Sequence, residues 1–224
     1  MNALLQSDFL IPLELTLRVA GLATALSLVL GVLAAFALTR FRFPGRDILD
    51  AVLTLPLVMP PTVLGYYILV VIGRRGLIGA WIHDTFGISL MFNWKGAVIA
   101  AVVVSFPLMF KSARAALESV GSNFENAART LGAGEVEVFL RISFPLAFRG
   151  ILAGSMLAFA RAMGEFGATL MVAGNMPGKT QTLSLAVYSA VQAGRDELAN
   201  WLVLVISLVC VIILVVTSKL LNPK

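Results

Sequence analysis

Apolar residues fall into five long runs along the chain, separated by shorter polar connections. Each run comes close to, or exceeds, the roughly 20 residues that a helix needs to cross a hydrocarbon layer of about 30 Å. A helix satisfies its own backbone hydrogen bonds in lipid, so the pattern predicts an all-α protein with about five transmembrane helices. The predicted spans are residues 15–38, 48–72, 94–110, 146–173 and 201–217.

Prolines interrupt two of these runs. Pro56, Pro60 and Pro61 lie in the second run, and Pro107 lies near the end of the third. Proline has no backbone N–H and its ring collides with the preceding helical turn. We therefore expect a kink or a broken first turn in the second span. The third span is short, and its helix is expected to continue past Lys111.

Composition supports an integral membrane protein. Hydrophobic residues make up 59% of the 224 residues and charged residues 13%, against about 45–50% and about 25% in soluble domains. The single cysteine, Cys210, permits no intramolecular disulfide. The single histidine, His83, lies in a predicted loop, so no metal site is predicted.

Basic residues predict which way the spans run. One side holds ten of them and the other side six, and cytoplasmic connections carry the excess of Lys and Arg. The N-terminus is therefore expected outside and the C-terminus in the cytoplasm. The ten are Arg40, Arg42, Arg46, Lys111, Arg114, Arg129, Arg141, Arg149, Lys219 and Lys224; the six are Arg18, Arg74, Arg75, Lys95, Lys179 and Arg195. This places the net charge of +5 at a membrane rather than on a nucleic acid.

The chain is expected to form a single transmembrane domain over residues 1–224. Residues 1–13 lack a basic segment and carry Asp8, which does not fit a cleavable signal peptide. We therefore expect the first span to remain in the mature protein.

The longest polar connection, residues 111–145, contains a helix signal. Ser122 and Glu125 have the spacing of a capping box, in which each side chain bonds a backbone N–H at the helix start. The helix is predicted to run over residues 123–131 and to end at Gly132, since glycine tolerates the left-handed conformation.

This predicted helix is short and amphipathic. Phe124, Ala128 and Leu131 are spaced by four and three residues and so share one face. Two turns of helix are unstable alone in water. The sequence leaves two interpretations open: the helix packs on its own protein as a connector, or it docks into a groove of a partner.

The same loop resembles permeases of ABC-type importers. That family carries a cytoplasmic motif of Glu-Ala-Ala, three residues, Gly, nine residues, Ile, one residue and Leu-Pro. Here the matching positions are Asn126-Ala127-Ala128, Gly132, Ile142 and Phe144-Pro145. Asn126 replaces the acidic residue, although Glu125 is adjacent, and Phe144 replaces leucine.

Further stretches resemble the molybdate branch of this family, which is similar to the sulfate branch in these regions. They lie in the first loop, the second and fourth spans, and the connection after the fourth. The stretches are Phe41-Arg42-Phe43-Pro44-Gly45, Leu55-Pro56-Leu57-Val58-Met59-Pro60-Pro61-Thr62-Val63, Gly164-Glu165-Phe166-Gly167-Ala168 and Ala173-Gly174-Asn175-Met176-Pro177-Gly178.

The resemblance implies a type I ABC-importer permease in the cell membrane of a bacterium. Two copies of the chain would form the pore, with two cytoplasmic ATPase subunits and an extracytoplasmic oxyanion-binding protein. The chain itself would bind no cofactor. ATP would be bound and hydrolysed by the partner subunits. The implied ATPase-docking residues are Ser122, Phe124, Glu125, Asn126, Ala127, Ala128, Arg129, Leu131 and Gly132, with Ile142 and Pro145 continuing the motif.

Molybdate is the expected cargo, moved by alternating access. Sulfate, thiosulfate or tungstate is the alternative within this class. A secondary transporter or channel without an ATPase is an alternative of another class, although no internal repeat favours it. A membrane scaffold that transports nothing is a third.

The fourth span holds two charges within an apolar helix. Arg161 and Glu165 lie one turn apart, which predicts either an ion pair facing the bundle or a border of the translocation path. Small residues, including Gly150 and Gly154, predict close helix packing. Path or packing candidates are Pro60, Pro61, Arg161, Gly164, Glu165 and Gly167.

One segment imitates a nucleotide-binding loop. Residues 174–180 read Gly-Asn-Met-Pro-Gly-Lys-Thr, with three residues between the glycines where the phosphate-binding loop has four. The segment also follows a predicted membrane span rather than a strand. We therefore predict no nucleotide site in it.

Overall fold

The computed structural model describes residues 9–41 and 43–221, and the regular structure within them is entirely helical. Asp8, Arg42 and Lys224, which were used above to predict the signal-peptide status and the orientation, lie outside the described residues. The helices are α1 (Ile11–Arg40), α2 (Arg46–Thr54), α3 (Pro61–Ile72), α4 (Leu77–Phe86), α5 (Trp94–Glu118), α6 (Ser122–Thr130), α7 (Glu135–Val138), α8 (Phe144–Met163), α9 (Gly167–Ala173), α10 (Leu183–Gln192) and α11 (Asp196–Leu221).

About five membrane spans are confirmed. Within the described residues, four helices are long and apolar enough to cross a membrane: Ile11–Arg40, Trp94–Glu118, Glu135–Met163 and Asp196–Val216. A bent pair, Arg46–Leu57 with Pro61–Ile72, makes a fifth if it is counted as one span. All four long helices extend beyond the predicted runs at one end or both, because polar residues continue them past the apolar part.

The second predicted span, residues 48–72, is broken at its prolines, which confirms the expected interruption. Its two halves meet at an angle of 113°. The 3₁₀ turn Leu55–Leu57 ends the first half, and Pro60 precedes the first residue of α3. The prolines remove backbone donors here, so the predicted kink is a complete break.

The fourth predicted span, residues 146–173, is also two helices. The long helix begins earlier, at Glu135, continues through a π-helical turn at Phe139–Ser143 and ends at Met163. A new helix, α9, starts at Gly167. The Gly164-Glu165-Phe166 segment between them forms the break, where glycine lowers helix propensity.

Two short helices, α4 and α10, replace regions that the sequence left as connections. His83, expected in a loop, lies inside α4. Among the described residues, no group of His, Cys, Asp and Glu is arranged to hold a metal ion.

The core lies between the three long helices α1, α5 and α8. Val32 and Leu38 of α1 pack with Met109 and Phe110 of α5 and with Ile151 of α8. A second cluster joins α3, α5 and α9, and includes Ile68 and Val172. At one end of the bundle α6 follows the C-terminus of α5. The N-terminus of α5 lies at the opposite end, called the far end below.

Glycines on α8 allow close packing against small side chains of α5. A Cβ atom built on Gly154 would lie 2.4 Å from Cβ of Ser112, and one on Gly150 would lie 2.6 Å from Cβ of Ala116. Such approaches are shorter than any real Cβ contact, so these two positions require glycine for helix packing.

We expect Gly154→Ala to lower the free energy of unfolding by about 1–3 kcal/mol, because the added methyl group overpacks this contact. Thermal unfolding in detergent measures the loss. Gly21→Ala on α1 is the control, since no heavy atom lies within 4 Å of its added Cβ. Equal melting temperatures for the two variants would contradict the prediction.

Candidate functional site

The predicted amphipathic helix is α6, which lies outside the bundle beyond the C-terminus of α5. It begins at Ser122, and Gly121 occupies the N-cap position without a side-chain hydrogen bond. The predicted capping box of Ser122 and Glu125 is therefore wrong. The Glu125 carboxylate turns toward the bundle, where stronger charged donors than a backbone N–H are available.

The C-terminus of α6 has the predicted glycine stop. Gly132 has a φ of +89°. The backbone N–H of Ala133 donates to the carbonyl oxygen of Ala128 at 3.1 Å, and that of Gly132 donates to Arg129 at 2.9 Å. These two bonds form a Schellman motif, in which a left-handed residue reverses the chain.

The inner side of α6 is tied to the bundle by an ionic cluster of Arg40, Glu125, Arg129, Glu135 and Ser143, here the Glu125 cluster. Oε2 of Glu125 accepts from Nη1 of Arg40 at 3.0 Å and from Nη2 of Arg129 at 3.1 Å. Its Oε1 accepts from the Ser143 hydroxyl at 2.7 Å. Glu135 pairs with both arginines.

The Glu125 cluster joins three elements. Arg40 is the last residue of α1, and Ser143 directly precedes α8. The side chains of Glu125 and Arg40 are only 18% and 21% exposed. Charge-assisted bonds shielded from water are stronger than exposed ion pairs. Displacement of α6 would therefore pull on α1 and α8.

The outer side of α6 is bare and apolar. Phe124 is 62% exposed and Leu131 is 87% exposed. Ala127 lies between them on the same side and is exposed too, whereas Ala128 is half-buried. The inner face therefore connects α6 to the bundle, as the first interpretation from the sequence expects, and the outer face is exposed.

A groove adjoins this outer face. Its volume is about 310 Å³, and its lining comes from the end of α6 and from the segment that follows. The lining residues are Ala128, Leu131, Gly132, Ala133, Glu137, Val138, Arg141 and Ile142. Ile142 of the sequence motif thus lies beside Gly132, and Pro145 stands exposed shortly after the π-helical turn Phe139–Ser143.

A second charged cluster was missed by the sequence reading. Asp50 of α2 accepts from Nζ of Lys111 at 2.6 Å and from Nη1 of Arg114 at 2.5 Å. Arg114 also bonds Glu118 on the last turn of α5. These contacts tie the broken second span to the helix that leads into α6. The sequence feature that could have indicated this cluster is Asp50 itself, a charged residue inside the predicted apolar span 48–72.

Arg161 and Glu165 form the predicted ion pair, with Nη1 and Oε2 2.8 Å apart. Oε1 of Glu165 also accepts from the backbone N–H of Ala168 at 2.8 Å, so the carboxylate bridges the break between α8 and α9. Across that break, Gly167 packs against α3: its added Cβ would lie 2.9 Å from Cβ of Pro61.

Gly164 and Pro60 have other surroundings. An added Cβ at Gly164 would meet its first neighbour only at 3.8 Å. Pro60 is exposed at the N-cap position of α3. Gly164 therefore lacks the close contact that Gly167 makes with Pro61.

The segment that imitates a nucleotide loop closes on itself. The backbone N–H groups of Lys179, Thr180 and Gln181 all point to the carbonyl oxygen of Met176, at 2.9 to 3.1 Å. In a phosphate-binding loop such groups converge on the anion instead. The geometry therefore fits a structural turn.

Known membrane transport proteins are similar to this chain in sequence. The family model described as "Binding-protein-dependent transport system inner membrane component" matches residues 27–224. The molybdenum transport system permease protein ModB of Escherichia coli K12 is 48% identical over 205 residues, which cover 92% of this chain and 90% of that protein. The sulfate transport system permease protein CysW of Synechocystis is 37% identical over 220 residues, covering 98% and 79%.

A solved structure shows the same fold. It is the crystal structure of a bacterial ABC transporter involved in the import of the acidic polysaccharide alginate. The TM-score is 0.75 at 16% identity, over 97% of this chain and 80% of that one. The family match and the identity to the molybdenum permease show that this chain belongs to the binding-protein-dependent transport system inner membrane components. It is a multi-pass permease subunit of an ABC importer.

Proposed function

We propose that two copies of this chain form the pore of an ATP-driven molybdate importer, and that α6 receives the force from a separate ATPase subunit. The observation that carries the proposal is the two-sided character of α6. Its inner side is fixed to α1 and α8 through the Glu125 cluster, while Phe124 and Leu131 stand exposed on its outer side. A short apolar helix face of this kind fits a groove on a partner.

In this proposal α6 lies in the cytoplasm, with the C-terminus of the chain on the same side. The ATPase subunits bind and hydrolyse ATP, and the chain holds no cofactor of its own. ATP-driven closure of the two ATPases moves both copies of α6. The long helices then move as rigid bodies, and access to the path switches from one side of the membrane to the other.

The cargo is inferred from similarity to the molybdenum permease of Escherichia coli, which exceeds the similarity to the sulfate permease of Synechocystis. An external binding protein delivers the oxyanion. Two copies are proposed because about five spans leave little room for a solute-sized path within one chain.

The test is uptake into proteoliposomes that contain the permease, its ATPase subunit and a molybdate-binding protein. Molybdate uptake should require ATP and all three proteins, and an equal concentration of sulfate should reduce it little. Uptake without ATP would contradict an ATP-driven importer. Sulfate uptake in place of molybdate would contradict the proposed cargo.

A further inference from the structure

The break between α8 and α9 leaves a guanidinium on an open side of the bundle. Leu157, Arg161 and Gly164 recur at intervals of four and three residues, so they lie on one side of α8. Leu157 and Gly164 are exposed, and Arg161 keeps 32% of its side chain accessible. Glu165, its partner, is 2% exposed and points inward.

Helix α10 borders the same opening. The Ser184 hydroxyl donates to the carbonyl oxygen of Met163 at 3.4 Å, and the Tyr188 ring lies 5.1 Å from the ring of Phe166. Val191 follows one turn after Tyr188, and both are exposed. This side of α10 is therefore exposed next to the break rather than packed in the core.

Contact with lipid would be energetically unfavourable for this open side of the break. Arg161 lies twelve residues beyond Arg149, the nearest basic residue assigned to the cytoplasmic side, which is roughly 18 Å along α8 at 1.5 Å per residue, and no charged residue lies between them. Arginine at such depth is costly in lipid and faces protein or a water-filled cavity. The open side of the break therefore faces the interior of an assembly, not its lipid boundary.

Within the ion pair, the guanidinium of Arg161 is exposed at this opening and the carboxylate of Glu165 is buried. Both oxygens of Glu165 are engaged, one by Arg161 and one by the N–H of Ala168. Within the described residues, Glu165 is the only charged partner of Arg161. A guanidinium has five N–H donors, so donors remain for an anion that passes on the open side. The planar fork suits the oxygen atoms of a small oxyanion.

We propose that Arg161 is the contact of this chain for the transported oxyanion, and that the open sides of α8 and α10 line its path. The inference rests on the proposed function for the cargo class, a small dianion with several equivalent oxygens. The buried carboxylate of Glu165 offsets part of the attraction, so the contact draws the anion in without holding it, as conduction requires.

The test uses a cysteine beside Arg161, introduced as Gly164→Cys in a Cys210→Ser background. Gly164 tolerates the change, because its φ is −86° and the nearest atom to the added Cβ is 3.8 Å away. The assembled importer in proteoliposomes is treated with anionic and cationic methanethiosulfonate reagents, with and without ATP. The anionic reagent should react about tenfold faster relative to its rate with a free thiol, because of the adjacent guanidinium.

Two further variants identify the source of that preference. Arg161→Gln with Glu165→Gln removes the guanidinium without leaving a buried carboxylate unpaired, and should abolish the preference. Glu165→Gln alone uncovers the positive charge and should raise the preference severalfold. Leu208→Cys on the exposed side of α11 is the control; it should react with neither reagent, since a thiol in hydrocarbon forms no thiolate.

Three results would overturn the proposal: no reaction at Gly164→Cys with or without ATP, reaction without charge preference, or a preference that Glu165→Gln leaves unchanged. None of these measurements needs molybdate. Molybdate uptake by the parent protein is measured in parallel, so failure of the proposed cargo is seen separately from failure of the Arg161 contact.

Discussion

Replacing Phe124 and Leu131 together by aspartate should abolish stable association between this permease and its ATPase subunit while the permease stays folded. The two side chains are 62% and 87% exposed, so they contribute little to the stability of the chain alone. At the centre of an interface each apolar anchor contributes about 2 kcal/mol or more. Losing both should weaken association about 100-fold or more. Copurification and ATPase activity of the complex in detergent measure the effect.

A matched control is available at the far end of the bundle. Phe86, the last residue of α4, is also 62% exposed. Phe86→Asp makes the same chemical change away from α6 and should leave association with the ATPase intact. An unchanged yield of complex for the Phe124 and Leu131 variant, or an equal loss for Phe86→Asp, would contradict docking through the outer face of α6.

Local sequence signals predicted the features of α6 that have local causes. Gly132 ends the helix because the required left-handed conformation depends on that residue itself. The capping box failed for the opposite reason. Glu125 bonds Arg40, which lies 85 residues earlier in the chain, and Ser143, which lies 18 residues later. No pattern within the loop could reveal those partners.

The spans show the same division between local and long-range causes. Apolar runs predicted about five crossings, because lipid imposes a length and a composition on each helix. Prolines predicted the break between α2 and α3, but the run at residues 146–173 did not separate α9 from α8, since Arg161 and Glu165 were interpreted as charges inside one helix. The pairing of Asp50 with Lys111 and Arg114 likewise joins residues more than 60 positions apart.

Charge at membrane depth shows what the structure adds to the sequence. From spacing alone, the opposite charges of Arg161 and Glu165 cancel, and no anion contact can be assigned. The structure separates them by exposure, since the carboxylate is buried beneath the guanidinium and bonds the start of α9. The direction of each side chain, which spacing does not specify, determines which charge a passing ion meets.

Replacing Glu125 by alanine should separate ATP hydrolysis from transport. The outer face of α6 is unchanged, so the ATPase should still bind and hydrolyse ATP. The ties from α6 to Arg40 and Ser143 are lost, and the two arginines lose a shared, largely buried acceptor. Motion of α6 would then pass poorly into α1 and α8. We expect molybdate transported per ATP to fall at least about tenfold, as loss of a buried charged partner costs several kcal/mol.

The control for Glu125→Ala is Asp47→Ala in the first turn of α2. Asp47 is exposed and belongs neither to the Glu125 cluster nor to the lining of the groove beside α6. A substitution at such a surface position changes stability by about 0.5 kcal/mol or less, so it should leave the transport ratio nearly unchanged. Combining Glu125→Ala with Arg40→Gln should add little to Glu125→Ala alone, because both remove the same tie. Normal coupling in Glu125→Ala, with the ATPase bound, would contradict transmission of force through the Glu125 cluster.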